Sequence, residues 1–127
     1  MTMLPPRNGD DRERWDRIRG GDAEALAPLV PELLEWLREP ESPEASLAAE
    51  ALLRCADELV PFVQAVLRGR DAAWKAGVIE RLVLRLPKDD VLELAPDLLA
   101  IAMNPSDPEL ELEVDELAER AVASALG

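Results

Sequence analysis

The sequence predicts an all-α fold: a short α-solenoid of about three helical hairpins behind an N-terminal capping helix. Three observations predict it. The chain has 127 residues, enough for a single domain, spanning 1–127, with a core of its own. Hydrophobic residues make up 48%, mostly Leu and Ala, while aromatics are 3% and Tyr is absent. Leu and Ala are strong helix formers, whereas strands favour β-branched and aromatic side chains. Finally, one pattern recurs three times, as Leu29-Val30-Pro31-Glu32-Leu33-Leu34, Leu59-Val60-Pro61-Phe62-Val63 and Leu94-Ala95-Pro96-Asp97-Leu98-Leu99. The starts lie 30 and 35 residues apart, the length of one helical-hairpin repeat.

The elements follow in order. Residues 1–10 read as a loose N-terminal arm. Asp11 to Arg19, with Trp15 and Ile18 on one side, reads as the capping helix; Gly20-Gly21 ends it and Asp22 starts the next turn. Each repeated proline suits a first helical turn, where its missing N–H is no loss and its fixed φ fits. Helices are therefore expected from about Pro31, Pro61 and Pro96, with room for an earlier turn and a kink before each.

A breaker and a second helix follow each proline-led segment. In Pro40-Glu41-Ser42-Pro43, Ser42 caps and Pro43 takes the first helical position, and Ala48, Ala51, Leu52 and Cys55 then share one face. After Gly69-Arg70, Asp71 caps a helix whose Trp74, Val78, Leu82 and Leu86 recur every four residues until Pro87. Asp89-Asp90 suits a helix N-terminus, where acids meet the positive end of the dipole. After Asn104-Pro105-Ser106-Asp107-Pro108, the residues Leu110, Val114, Leu117, Ala118, Ala121, Val122 and Ala125 form a closing stripe. Glu109 to Val114 alternates with period two, but the preceding cap and the helical continuation to Leu126 favour helix. Hairpins of this kind bury their apolar faces only by stacking, and an ordinary helical bundle is the structural alternative.

Net charge is −13, unevenly spread. Residues 1–21 are net +1, residues 22–86 net −5, and residues 87–127 net −9, with only Lys88 and Arg120 as cations. Such a field repels phosphate backbones, so direct nucleic-acid binding is not expected. Either the acidity only solubilises, or it attracts a basic partner. No stretch of signal-peptide character opens the chain and no apolar run approaches ~18 residues, so no membrane role is expected and the reading is cytoplasmic.

Chemistry finds little to build on. There is no His and no Tyr, which leaves carboxylates and lysine as general acids and bases. Ser42 and Ser106 fall where caps are needed, and the lone Cys55 sits in an apolar run as a small hydrophobe. No Gly-rich phosphate loop occurs. Glu111, Glu113, Asp115 and Glu116 do not match a calcium loop, and one Cys without His excludes zinc. No catalytic residue, metal or cofactor is expected, and the protein is not expected to be an enzyme. Among the tryptophans, Trp36 aligns with the core positions Val66 and Ile101, Trp74 begins an apolar stripe, and Trp15 either packs on the next repeat or faces an interface.

The Leu-x-Pro-x-Leu-Leu helices and the turn Asp71-Ala72-Ala73-Trp74-Lys75 resemble HEAT-like repeats, with Lys75 where such repeats usually carry arginine. More narrowly, the chain resembles an uncharacterised family of small bacterial helical-repeat proteins. The residues that carry this are Leu4-Pro5-Pro6-Arg7, the Leu-x-Pro helices, Asp71-x-x-Trp74-Lys75 and Glu113-Val114-Asp115-Glu116-Leu117-Ala118. The resemblance implies a fold and little about activity.

If the hairpins stack, their second helices line one shared face carrying Glu50 and Arg54, then Glu80, Arg81, Leu84 and Arg85, then Glu116, Glu119 and Arg120. Leu84 and Leu112 fall off the buried stripes. This face is the candidate protein-contact surface, and the expected function is a non-catalytic interaction module for a protein partner, basic if the acidity is functional. The alternatives are a structural or regulatory subunit, or an immunity protein against a basic toxin.

Overall fold

Side-chain caps start helices where the sequence offers Ser or Asp at a boundary. The computed structural model describes residues 12–39 and 41–126; the arm at residues 1–10, with its Leu4-Pro5-Pro6-Arg7 motif, and positions 11 and 40 lie outside them. Helix α1 spans Arg12–Arg19 and α2 spans Ala23–Leu26. A 3-10 turn at Ala27–Leu29 leads into α3, Val30–Glu35, and another at Trp36–Arg38 follows it. Then come α4 (Pro43–Arg54), α5 (Ala56–Arg68), α6 (Ala72–Arg81), a 3-10 turn at Val83–Arg85, α7 (Lys88–Met103), α8 (Asp107–Glu111) and α9 (Val114–Leu126). The fold is all-α, with no strand among the described residues.

The expected caps form. Asp22 accepts the Ala25 N–H at 2.9 Å, Ser42 that of Ala45 at 3.2 Å, and Asp71 that of Trp74 at 3.0 Å. Ser106 and Glu109 make a reciprocal capping box. Each cap satisfies an amide that the first helical turn leaves without a partner.

Helices pack in pairs, α3 on α4, α5 on α6 and, across the short α8, α7 on α9; α5 also packs on α7 while α6 packs on α9. One hydrophobic cluster runs through all of them, from Trp15 to Ala125. Trp15 is buried at 4% exposure, its ring edge-on to Trp36 with centroids 5.2 Å apart. Trp36 is half-buried, so it flanks the core that its aligned partners Val66 and Ile101 enter fully.

Two expectations are corrected. Pro61 and Pro96 lie inside α5 and α7, which begin upstream at Ala56 and Lys88. Both prolines are exposed, so the carbonyl that loses its amide donor falls on the solvent side of the helix, where an interior proline costs least. The closing helix is also not continuous. It breaks after Glu111, Glu113 takes a left-handed φ of 59°, and α9 restarts at Val114. The break resets the helical phase: Leu110, expected in the buried stripe, is 51% exposed, while Val114 is fully buried. Glu109 faces the interior in place of Leu110, drawn by its cap and by the Lys75 ammonium.

Candidate functional site

The charged ridge expected on the second helices is divided by the structure into scaffold and surface. Arg54 Nη1 donates to the carbonyl oxygens of Ile18 at 2.9 Å and Gly21 at 2.7 Å. It therefore closes the C-terminal end of α1, where a cation and a donor are both favoured. Arg81 is half-buried, and Leu84 packs on the core beside α9 instead of standing out as an apolar spot. Glu50, Glu80, Arg85, Glu116, Glu119 and Arg120 are exposed on α4, on the α6 segment and on α9. Those elements are brought together, since α6 packs against both α4 and α9.

A depression of about 540 Å³ opens where the turn after α3, the start of α4, the start of α6 and the α8–α9 break meet. Arg38, Glu39, Ser42, Ala73, Ala76 and Leu112 are among its lining residues. Its cation is already held. Arg38 Cζ sits 4.4 Å from the Trp74 ring centroid, and Arg38 Nε is 3.7 Å from Asp71 Oδ2. Trp74 is fixed in turn by donating its indole N–H to the Leu34 carbonyl at 2.7 Å. The Ser42 hydroxyl donates to the Glu39 carbonyl at 2.9 Å while accepting the Ala45 amide. With both roles occupied it acts as a cap.

Beneath the surface, Lys75 Nζ on α6 meets Glu109 Oε2 on α8 at 3.4 Å, with both side chains more than nine-tenths buried. Burial pushes the Glu109 carboxyl up, but the Ser106 amide and hydroxyl and the Lys75 charge outweigh it, and the net shift is downward. The pair joins α6 to α8 and fixes the position of the α8–α9 break. Sequence reading placed Lys75 at a repeat turn and left Glu109 in an alternating run. The signal that could have joined them was the S-x-x-E spacing from Ser106 to Glu109, which turns that glutamate back towards the helix start.

Cys55 lies between α4 and α5 at 3% exposure, and its thiol points at the Ala23 carbonyl 3.6 Å away. Burial, then the neighbouring Glu58, raise its pKa, with Arg54 opposing, so the thiolate is disfavoured. Among the described residues no three His, Cys, Asp or Glu side chains converge as a metal site would require, and no helix is long and apolar enough to cross a membrane.

Leu112, which falls off the buried stripes in the sequence, is exposed, but the sequence reading missed the other exposed apolar side chains. Among the described residues the large ones are Phe62, Leu92, Leu99, Met103, Leu110, Leu112 and Leu126. All but Phe62 fall between Leu92 and Leu126, the stretch that also carries most of the net negative charge. On α7 the buried side is Val91, Leu94, Leu98 and Ile101, and Leu92, Leu99 and Met103 lie outside it. An amphipathic helix on a surface normally presents polar residues there.

The family model of a domain of unknown function (DUF5071) matches residues 4–122, nearly the whole chain. No curated protein matches it. The chain belongs to the DUF5071 family.

Proposed function

We propose that this DUF5071 member is a non-catalytic protein-interaction module whose contact surface lies on its acidic C-terminal helices. The observation that carries the reading is the coincidence of two properties in one stretch of the chain. Leu92, Leu99, Met103, Leu110, Leu112 and Leu126 are 39–80% exposed, and residues 87–127 have a net charge of −9. Large apolar side chains left exposed beside charged ones are what association surfaces are built from. The sign of the rim selects a basic protein as the partner. The paired helices are read as a short HEAT-like stack, working in the bacterial cytoplasm, whose terminal pair carries the contact. The charged residues Glu116, Glu119 and Arg120 of the expected ridge belong to this region, while Arg54 and Leu84 serve the scaffold.

A second reading is favoured by Met103 and Leu126, at 80% and 70% exposure. It makes the chain a structural or regulatory subunit whose partner covers these side chains permanently. Affinity capture from native lysate, washed at low and at high salt, tests both. A basic protein retained at low salt and released at high salt supports the interaction module. A partner held through both washes supports the permanent subunit. A lysate that yields no enriched protein sinks both.

A further inference from the structure

We infer that the side of α7 and α9 turned away from the α5–α6 pair is a docking surface for a cationic amphipathic helix of a partner protein. This rests on the interaction-module reading and names its surface and the chemistry of its occupant. Helix α7 is 16 residues long, about 24 Å. Leu92, Pro96, Leu99 and Met103 follow at spacings of four, three and four, which places them in one row along the helix. The whole row is exposed, Leu92 at 39%, Leu99 at 41% and Met103 at 80%. The flank nearest α5 is marked by Asp97, which accepts the Arg68 Nε–H at 2.8 Å. By helical geometry the apolar row lies about a third of a turn round from Asp97, at the far edge of the exposed arc.

Helix α9 supplies a second row with the same spacing. A cavity of about 90 Å³ is lined by Lys88 and Val91 near the start of α7 and by Ala121, Ser124 and Ala125 near the end of α9, so the two helices run antiparallel. Leu84 lines the same cavity and marks the Ser124 side of α9 as the one facing the turn after α6. Asp115, Glu119, Val122 and Leu126 lie about half a turn away from Ser124; Glu119 and Leu126 are exposed, while Asp115 and Val122 are half-buried, Val122 with one side against the core. Both rows therefore point away from the α5–α6 pair, with Val122 and Leu126 towards Leu92 and the two carboxylates towards Met103.

Charge chooses the occupant. A second copy of the chain would bring another −13, and with it Asp115 and Glu119, against the same acids. A helix with leucine-like anchors at four-three-four spacing would cover the apolar row, and lysines or arginines on its flanks would meet Asp115 and Glu119 on one side and Asp89 and Glu93 on the other. Exposed charges of this kind set orientation and on-rate, while the apolar row holds the complex.

The test uses the full chain and a fluorescent synthetic 18-residue helix with Leu at that spacing and Lys on both flanks, beside a control carrying Glu for each Lys. Binding is read by anisotropy, and its footprint by amide chemical shifts. The Lys helix is expected to bind, to weaken about tenfold between about 50 and 500 mM salt, and to shift Leu92, Leu99, Met103, Val122 and Leu126. The Glu helix is expected not to bind. Leu99→Ser with Met103→Ser, both exposed sites that leave the core intact, is expected to weaken binding about tenfold. A footprint around Ala73 and Leu112 would overturn this surface and leave the interaction-module reading standing. Failure of the Lys helix to bind overturns the inference, as does a dimer dissolved by Leu99→Glu, which would show a second copy on the surface. Failure of the broader reading is registered separately, by the lysate capture.

Discussion

Lys75 Nζ and Glu109 Oε2 are 3.4 Å apart in an interior whose hydrophobic cluster consists of Leu, Val, Ile, Ala, Trp and Cys55 side chains. They tie α6 to α8 across 34 residues of chain. Removing one partner strands a buried charge. Lys75→Met is expected to destabilise the fold by about 3 kcal/mol. Lys75→Met with Glu109→Gln should recover part of that loss, because glutamine still accepts the Ser106 amide in the capping box while the stranded charge is gone. Urea unfolding followed by circular dichroism measures both, and a Lys75→Met variant as stable as wild type would remove the pair from the account.

The same glutamate sets an acid dependence. Its folded pKa lies below the ordinary 4.5, so the stability it contributes is fully present above that value. It is lost as pH falls through the depressed folded pKa. Wild type is therefore expected to lose stability relative to Glu109→Gln as pH drops from about 4.5 downward, with no change in the difference at higher pH. A difference that stays flat through the acid range would contradict the assigned direction.

Arg54 holds the end of α1 through two carbonyls, those of Ile18 and Gly21. Arg54→Met keeps the aliphatic stem and deletes both donors. It is expected to cost about 1 kcal/mol. Amide hydrogen exchange over residues 12–21 should accelerate more than exchange in α7 or α9. Uniform acceleration across the chain would mean that the contact supports the fold globally.

Glu113 is the one non-glycine residue with positive φ among those described. Its side chain is exposed, so the cost of that conformation has no packing to offset it. Glu113→Gly is expected to stabilise by up to about 1 kcal/mol, net of glycine's greater unfolded-state entropy. Glu113→Val should destabilise instead, since a β-branched residue resists this region more strongly. Thermal melts of the two variants should shift in opposite directions.

Much of the fold was legible because its signals are local. Ser42, Asp71 and Ser106 announce their helices through side chains that reach only three residues, and the buried stripes follow helical spacing. What escaped depends on three-dimensional context. The sequence cannot say that Pro61 and Pro96 face solvent, and exposure is what permits a proline inside a helix. Likewise, the choice of Glu109 over Leu110 for the interior depends on Lys75, far away in the chain. The contact ridge was drawn from second helices alone, so Arg54 and Leu84 were included although tertiary contacts occupy them. The apolar row of α7 could not be told from its buried side by spacing alone, because leucines lie on both; only the packing of Val91, Leu94, Leu98 and Ile101 against the core separates them. Family membership was legible from the Leu-x-Pro helices and the Asp71-x-x-Trp74-Lys75 turn, and the family match bears it out.

The edge-on contact of Trp15 with Trp36, and the seating of Trp74 beneath Arg38, have a practical consequence for watching this molecule. All the indoles of the chain lie between positions 15 and 74, and no aromatic residue of any kind follows Trp74. Intrinsic emission therefore reports on α1, the turn after α3 and the start of α6, while α7, α8 and α9 carry no emitter of their own. A melt recorded at both wavelengths asks whether the two ends part together. Fraying or capture of another chain along the outer side of α7 would leave the indole surroundings unchanged and register in the amide signal alone, whereas a shift of α8, tied to Lys75 beside Trp74, would reach the emission as well.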